Sequence, residues 1–160
     1  MTISIDCGLF IMNFGGDDDY NNEFYYLRNF LNRKTGEIIS TIIDPDDVEM
    51  NMGEFAAKEL LINTKIVNDN PSNFLEIQAT SHADHHKVMQ DFLASKWTED
   101  ISKREHASSV YYGPNSIGRW LKNVADQSAI DAYFLFKEDA IKRLSEVFLL
   151  ENGVSDFKWA

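Results

Sequence analysis

Apolar residues recur along this chain with two different periods, and each period marks a different kind of element. Through residues 23–32 the apolar positions alternate loosely: Phe24, Tyr25, Tyr26, Leu27, Phe30 and Leu31. Asn32-Arg33-Lys34-Thr35-Gly36 then supplies turn residues with a glycine at the exit. Ile-Ile-Ser-Thr-Ile-Ile follows, all β-branched or small, as far as Ile43. This pattern predicts a β-hairpin over about residues 23–43. Asp44-Pro45 ends its second strand, because the residue before proline avoids continuing regular structure. Leu75 and Ile77 share one face of a further strand predicted near 74–80. Residues 3–14 fit either a short helix capped by Asp6 or a strand. The helix would bury Leu9, Phe10 and Met12 or Phe14. Gly15-Gly16-Asp17-Asp18-Asp19 reads as a loop.

The remaining apolar positions follow helical spacing. Residues 47–62 predict a helix with Met50, Phe55, Ala56, Leu60 and Leu61 as core candidates. Ser81–Lys96 carries Val88, Met89, Phe92 and Leu93 on one stripe. Thr98 is a candidate N-cap with acids behind it, and Glu99/Lys103 and Asp100/Arg104 stand at i, i+4. Pro114 or Ser116 opens a helix carrying Ile117, Trp120, Leu121 and Val124. Ser128 with Asp131 makes a capping-box-like start for the last helix. Its expected buried face is Ile130, Phe134, Ile141, Leu144 and Phe148, and Asn152-Gly153 stops it. Phe92, Trp120, Phe134 and Phe148 are all expected in the core. The fold class expected is α+β in a single domain over residues 1–160. It pairs a small antiparallel sheet with a mostly helical C-terminal half.

Length and composition agree with a folded chain. The 160 residues, with 44% hydrophobic and 12% aromatic content, are enough for a real core. Charge changes the picture more. The net charge is −11, and it is uneven. Residues 1–62 hold twelve acids and four bases, whereas residues 63–160 hold fourteen acids and eleven bases. Such a surface repels nucleic acid and anionic membranes. It suits a basic protein partner, and it is also what a nucleic-acid mimic needs. The single cysteine, Cys7, excludes an internal disulfide. No basic-then-apolar leader and no long apolar run is visible, so a cytoplasmic protein is expected.

Several pieces of the chain, taken in order, resemble an uncharacterised bacterial family known only by a placeholder label. Phe30-Leu31-Asn32-Arg33-Lys34-Thr35-Gly36-Glu37-Ile38 is similar to its Tyr-Leu-Asp-x-x-Thr-Gly-Glu-Val. Phe74-Leu75-Glu76-Ile77 and then His86-Lys87-Val88-Met89-Gln90-Asp91-Phe92 resemble its strand and following Met-x-x-Phe helix. Its Gly-x-Gly-Ala-Phe-x-x-Phe-Lys segment is degraded here to the stretch from Gly113 to Lys122. Tyr133-Phe134-Leu135-Phe136 resembles its Trp-Phe-x-Phe. Phe148-Leu149 to Gly153-Val154 resembles its closing Trp-Leu-x-x-x-Gly-Ile. The resemblance covers about residues 24–154. It implies an α+β fold and brings no catalytic residue with it.

Candidate chemistry is sparse. His82, His85 and His86 are the only residues grouped like metal ligands, and His82 and His86 share a helix face at i, i+4. No HExxH motif and no cysteine stands with them, and Asp84 has a simpler use as a cap. Asp44-Pro-Asp-Asp-Val-Glu49 lacks the glycine and glutamate of a calcium loop. Gly113 to Gly118 has the outer spacing of a phosphate loop, but Arg119-Trp120 stands where Lys-Ser/Thr is required. Cys7 reads as a small apolar residue. No catalytic residue and no cofactor is therefore expected. The expected function is a non-catalytic acidic module of the inhibitor, immunity or nucleic-acid-mimicking kind. Asp17, Asp18, Asp19, Asp44, Asp46, Asp47 and Glu49 would form its binding face, because an antiparallel hairpin brings its two flanks together. The alternatives are a small metal-dependent enzyme built on His82, His85 and His86, or a regulatory subunit of a larger complex.

Overall fold

Residues 3–14 contain both of the elements that their pattern allows. Ile3–Ile5 is strand β1, and Cys7–Phe14 is helix α1. Asp6 stands between them as N-cap, its carboxylate accepting the Leu9 N–H at 2.8 Å. Phe10 and Phe14, four residues apart, are buried. Leu9 and Met12 are exposed instead, at 38% and 69%. The computed structural model describes residues 1–15, 27–42, 53–95 and 127–160.

The hairpin is present as β2 (Leu27–Asn32) and β3 (Ile38–Ile42). Asn32 organises its turn: its side-chain oxygen accepts the N–H groups of Lys34 and Thr35, and its carbonyl accepts that of Gly36. Strand β4 (Phe74–Glu76) pairs antiparallel with the other side of β2, so β2 is the central strand. Leu75 and Ile77 are both buried, as their spacing predicts. Helix α2 (Glu54–Asp69) covers the outer edge of β3. Its Thr64 hydroxyl accepts the Ile42 N–H at 3.1 Å, and Asn63 Nδ2 donates to the Ser40 carbonyl at 3.0 Å. These outward backbone groups meet no neighbouring strand among the described residues, and the helix side chains satisfy them. Pro71 follows α2 and opens a short 3₁₀ turn, where an α-helix cannot continue.

A second, parallel sheet of two strands joins the ends of the chain. Strand β5 (Phe157–Trp159) pairs with β1, Ile3 opposite Phe157 and Ile5 opposite Trp159. The hairpin alone does not anticipate this pair. Ile3 donates to the Asp156 carbonyl at 3.0 Å, and Ala160 to that of Ile5 at 2.8 Å. The Asp156 carboxylate accepts the Thr2 hydroxyl at 2.6 Å and lies 3.4 Å from the N-terminal ammonium. The hairpin turn abuts β1 from the other direction. Gly36 has φ +80°, and a Cβ there would fall 2.2 Å from the Ser4 carbonyl oxygen.

Helices α3 (His82–Leu93) and α4 (Gln127–Glu151) complete the described elements. Ser81 caps α3 and Asp84 returns the bond, forming a full capping box. Val88, Met89 and Phe92 are buried, and Phe92 meets Tyr133 of α4 edge-on at 5.2 Å. Helix α4 ends in a Schellman motif. Val154 N–H bonds the Leu149 carbonyl, Gly153 N–H bonds that of Leu150, and Gly153 has φ +81°. Leu149 and Val154 are both buried beneath it. No helix among the described residues is long and apolar enough to cross a membrane.

The main core joins Ile3, Ile5, Phe10 and Phe14 to Leu31, Leu75, Ile141 and Leu149. The Phe14 ring lies tilted against Phe148 at 5.2 Å, and Phe10 against Trp159 at 5.7 Å. A smaller cluster of Ile42, Ala57 and Leu60, with Leu27 against it, lies under α2.

Four expected helix details are corrected. Helix α2 begins after Gly53 and runs to Asp69, seven residues past its expected end. Its buried stripe is Ala57, Leu60 and Val67, so Phe55 is 86% exposed and Leu61 44% exposed. In α4 the fully buried line passes through Tyr133, Ile141, Ser145 and Leu149. Phe134, one position off that line, is 53% exposed, while Phe148 is half-buried and Phe92 is fully buried. Ser128 does not cap α4, because the helix already includes Gln127. The features expected at Met50, Thr98, Pro114, Ser116 and Trp120 lie outside the described residues.

Two predictions follow from the closures around β1. Gly36→Ala combines left-handed strain of about 1–2 kcal/mol with an overlap costing about 1–3 kcal/mol. Gly153→Ala has the same φ but open space, its nearest neighbour being Arg33 Nη1 at 3.8 Å. It should show the strain alone, about 1–2 kcal/mol. Denaturant midpoints of both variants measure the difference, and equal losses would contradict the close approach to Ser4. The second prediction concerns pH. The Thr2 hydroxyl, and then the N-terminal ammonium, hold the Asp156 carboxyl below its ordinary value. A lowered folded pKa adds stability above the unfolded value and loses it as pH falls through the folded one. Amide protection at Ile3 should therefore persist at neutral pH. It should fall in acid, below about pH 4. Asp156→Asn should remove that step from the exchange profile.

Candidate functional site

The seven acidic residues expected to form a binding face, Asp17, Asp18, Asp19, Asp44, Asp46, Asp47 and Glu49, lie outside the described residues. The structure does place the points from which their segments leave the sheet. Leu27, the first residue of β2, is the register partner of Ile42, the last of β3. Residues 16–26 and 43–52 therefore attach to adjacent positions at one end of the hairpin. These two segments hold eight acids and no base. The remainder of residues 1–62 is balanced, with four acids and four bases. The uneven charge of the first half thus belongs entirely to the two segments flanking the hairpin.

His85 and His86 have separate surroundings. His85 is buried, and its Nε2 lies 2.8 Å from the Thr80 hydroxyl. His86 is exposed, its Nε2 lying 3.4 Å from Gln90 Nε2. His82 is the first residue of α3. Asp84 is engaged with Ser81 in the capping box. Among the described residues, no three His, Cys, Asp or Glu side chains gather as a metal site would need. Cys7 is half-buried in the first turn of α1, and burial pushes its thiol pKa up, which opposes nucleophilic use.

A cleft of about 450 Å³ lies between α1 and the hairpin, and nothing in the sequence motifs marks it. Register partners in an antiparallel pair share a face. One face of the hairpin therefore carries three successive rungs: Leu27 with Ile42, Asn29 with Ser40, and Leu31 with Ile38. The outer two rungs are apolar, and they pack into the two separate core clusters. The middle rung is polar and only half-buried. The Ser40 hydroxyl donates to Asn29 Oδ1 at 2.6 Å. The exposed side of α1 stands over this rung with Leu9, Met12 and Asn13. Asn13 Nδ2 donates to the Leu9 carbonyl at 2.9 Å. The floor is rigid, since the Asn29 carbonyl accepts the Ile77 N–H at 2.8 Å and the Ser40 carbonyl is held by Asn63.

A more polar recess of about 390 Å³ adjoins it and shares Asn13, Leu27 and Asn29. Arg28 and Glu76 stand at this second recess. Arg28 Nε donates to Glu76 Oε1 at 2.8 Å, and Nη2 bonds Oε2, so the pair is two-pronged. The hydrogen bonds it donates to Glu76 raise the Arg28 pKa further, so the guanidinium stays charged. Its carbon also lies 5.5 Å over the Phe30 ring.

Sequence inspection missed Asn29 and Ser40 as a pair. The signal available was alternation: both occupy positions of the inward-facing set in strands whose other inward members are leucine or isoleucine. The edge bonds that steady Ser40 are also testable. Thr64→Val keeps the shape of α2 but leaves the Ile42 N–H without its acceptor, which costs about 1–3 kcal/mol. Hydrogen exchange at Ile42 should accelerate, while exchange at Leu31 on the central strand should change less.

Comparisons with protein families, with curated proteins and with solved structures find no match to this chain.

Proposed function

We propose that this protein is a non-catalytic binding module that offers an acidic face to a basic protein partner. It would act as inhibitors, immunity proteins and nucleic-acid mimics do. One observation carries this reading. The pairing of Leu27 with Ile42 sets the attachment points of two segments at one end of the hairpin, and those segments hold all of the charge excess of residues 1–62. Two like-charged segments attached at neighbouring positions repel one another, and a basic partner relieves that repulsion. Electrostatic faces of this kind act mainly on association rate and on partner choice. The rest of the first half carries balanced charge, so solubility alone does not require the acids to cluster there.

The test is capture of partners from the native cell, followed by kinetics on the purified pair. Replacing Asp17, Asp18, Asp19, Asp44, Asp46, Asp47 and Glu49 by lysine should leave the circular dichroism spectrum and the core intact. Association with the captured partner should slow by about tenfold or more at low salt, and its salt dependence should flatten. Association unchanged at every salt concentration would end this reading and leave the acids with a solvating role.

A further inference from the structure

The stop at the end of α4 is also a chemically reactive pair. Asn152-Gly153 is the one Asn-Gly step in the sequence. Glycine has no Cβ to shield its nitrogen, so in a mobile chain that nitrogen reaches the carboxamide carbon of the preceding asparagine. The attack makes a bond from Gly153 N to Asn152 Cγ and closes a five-membered ring. The nitrogen gives up its proton, and Nδ2 leaves as ammonia. Water then opens the ring at either carbonyl. Opening at Cγ leaves aspartate. Opening at the main-chain carbon leaves isoaspartate, in which the chain runs through Cβ and Cγ. In sum one water is taken up and one ammonia is released. The fold restrains each group that this step must move. The Gly153 N–H donates to the Leu150 carbonyl at 3.1 Å. The Asn152 carbonyl accepts a hydrogen bond from the Arg33 guanidinium. One rigid peptide plane is thus held at both ends, and it must turn to bring the nitrogen onto Cγ. The leaving group is held as well, since Asn152 Nδ2 donates to the Phe148 carbonyl at 2.8 Å.

We infer that Asn152-Gly153 is a covalent modification site, where asparagine converts to aspartate and isoaspartate, and that Arg33 is the latch that controls it. Arg33 stands in the hairpin turn, 119 positions away in sequence. Its release frees the carbonyl end of the peptide plane. The reaction therefore runs through a local opening of the joint between the hairpin turn and the end of α4, without unfolding of the whole chain. The isoaspartate product adds a backbone atom between α4 and β5. The 2.8 Å bond from the Val154 N–H to the Leu149 carbonyl, and the burial of Val154, both depend on the spacing at that point. Residues 157–159 lie beyond it, so the pairing of β5 with β1 loosens with it. Because ammonia departs, the change runs in one direction. A joint that opens often enough becomes a joint that no longer closes.

The experiment incubates the whole chain at neutral pH and follows residue 152 by peptide mapping and mass spectrometry, with fragmentation that tells isoaspartate from aspartate. The folded chain should convert at least about tenfold more slowly than the same chain in guanidinium chloride, because only the opened fraction reacts. Arg33→Met keeps the length of the side chain and removes its donors. It should speed conversion by about threefold or more in a chain still folded by circular dichroism, as loss of a charged hydrogen bond implies. Thr64→Val weakens the fold at the far edge of β3 and leaves the joint alone, so it should not change the rate. The isolated isoaspartate form should exchange the Ile3 amide faster than the unconverted chain. Equal conversion of folded and unfolded chains, no conversion at Asn152 in either, an Arg33→Met rate equal to that of the unaltered chain or matched by Thr64→Val, or unchanged Ile3 exchange in the isoaspartate form would each overturn the inference.

Discussion

The packing of the first fifteen residues against residues 141–159 is the contact on which the rest of this molecule depends. Phe10 and Phe14 of α1 meet Phe148 and Trp159 in one aromatic cluster. Strands β1 and β5 close over it with backbone hydrogen bonds. The antiparallel sheet then has a surface to rest on, and Leu31 and Leu75 enter the same core. The hairpin turn is locked to this assembly twice. Gly36 lies against the Ser4 carbonyl, and the Arg33 guanidinium bonds the carbonyl of Asn152 at the end of α4. A three-stranded sheet with one strand of three residues would be marginal alone, so these attachments are what hold its register.

This arrangement separates rigid from chemical parts. The strands and the covering helix hold Asn29, Ser40 and the Leu27–Ile42 end in fixed relation, because their backbone groups are bonded on both sides. The polar rung is set upon that frame and is not part of its core. It costs apolar burial on a face that otherwise carries only leucine and isoleucine, and the cleft is what stands in the place of that burial.

Much of the fold was legible because it rests on local chemistry. The hairpin was visible from Asn32 to Gly36, α3 from Ser81 and its stripe, and the end of α4 from Asn152-Gly153. The helix phases were harder to read, for a physical reason. In α2 the position between Leu60 and Val67 on the buried stripe is Thr64, which faces the sheet to bond β3 and so breaks the apolar pattern. In α4 the buried Ser145 satisfies itself on the Ile141 carbonyl, and its polarity hides the true line. Reading apolar residues alone then favours Phe55 and Phe134, which are exposed. The parallel pair was not legible at all, since three-residue strands at opposite ends of a chain carry no periodicity. The polar rung was legible only after the register was known, because one residue of slip would put Asn29 on the other face.

The pairing of β1 with β5 has a consequence for how the molecule is made. A hydrogen bond between Thr2 and Asp156 spans 154 positions of sequence. Contacts so far apart form late, because the intervening chain must lose its freedom before they return any energy. During synthesis β1 is made well before β5 and waits, its edge unmatched, until residues 157–159 have emerged. The hairpin turn that seats on β1 and the aromatic cluster beneath it wait as well. Closure of this fold therefore waits for residues 157–159, and Ile3, Ile5, Phe10 and Phe14 spend that interval without the partners that bury them.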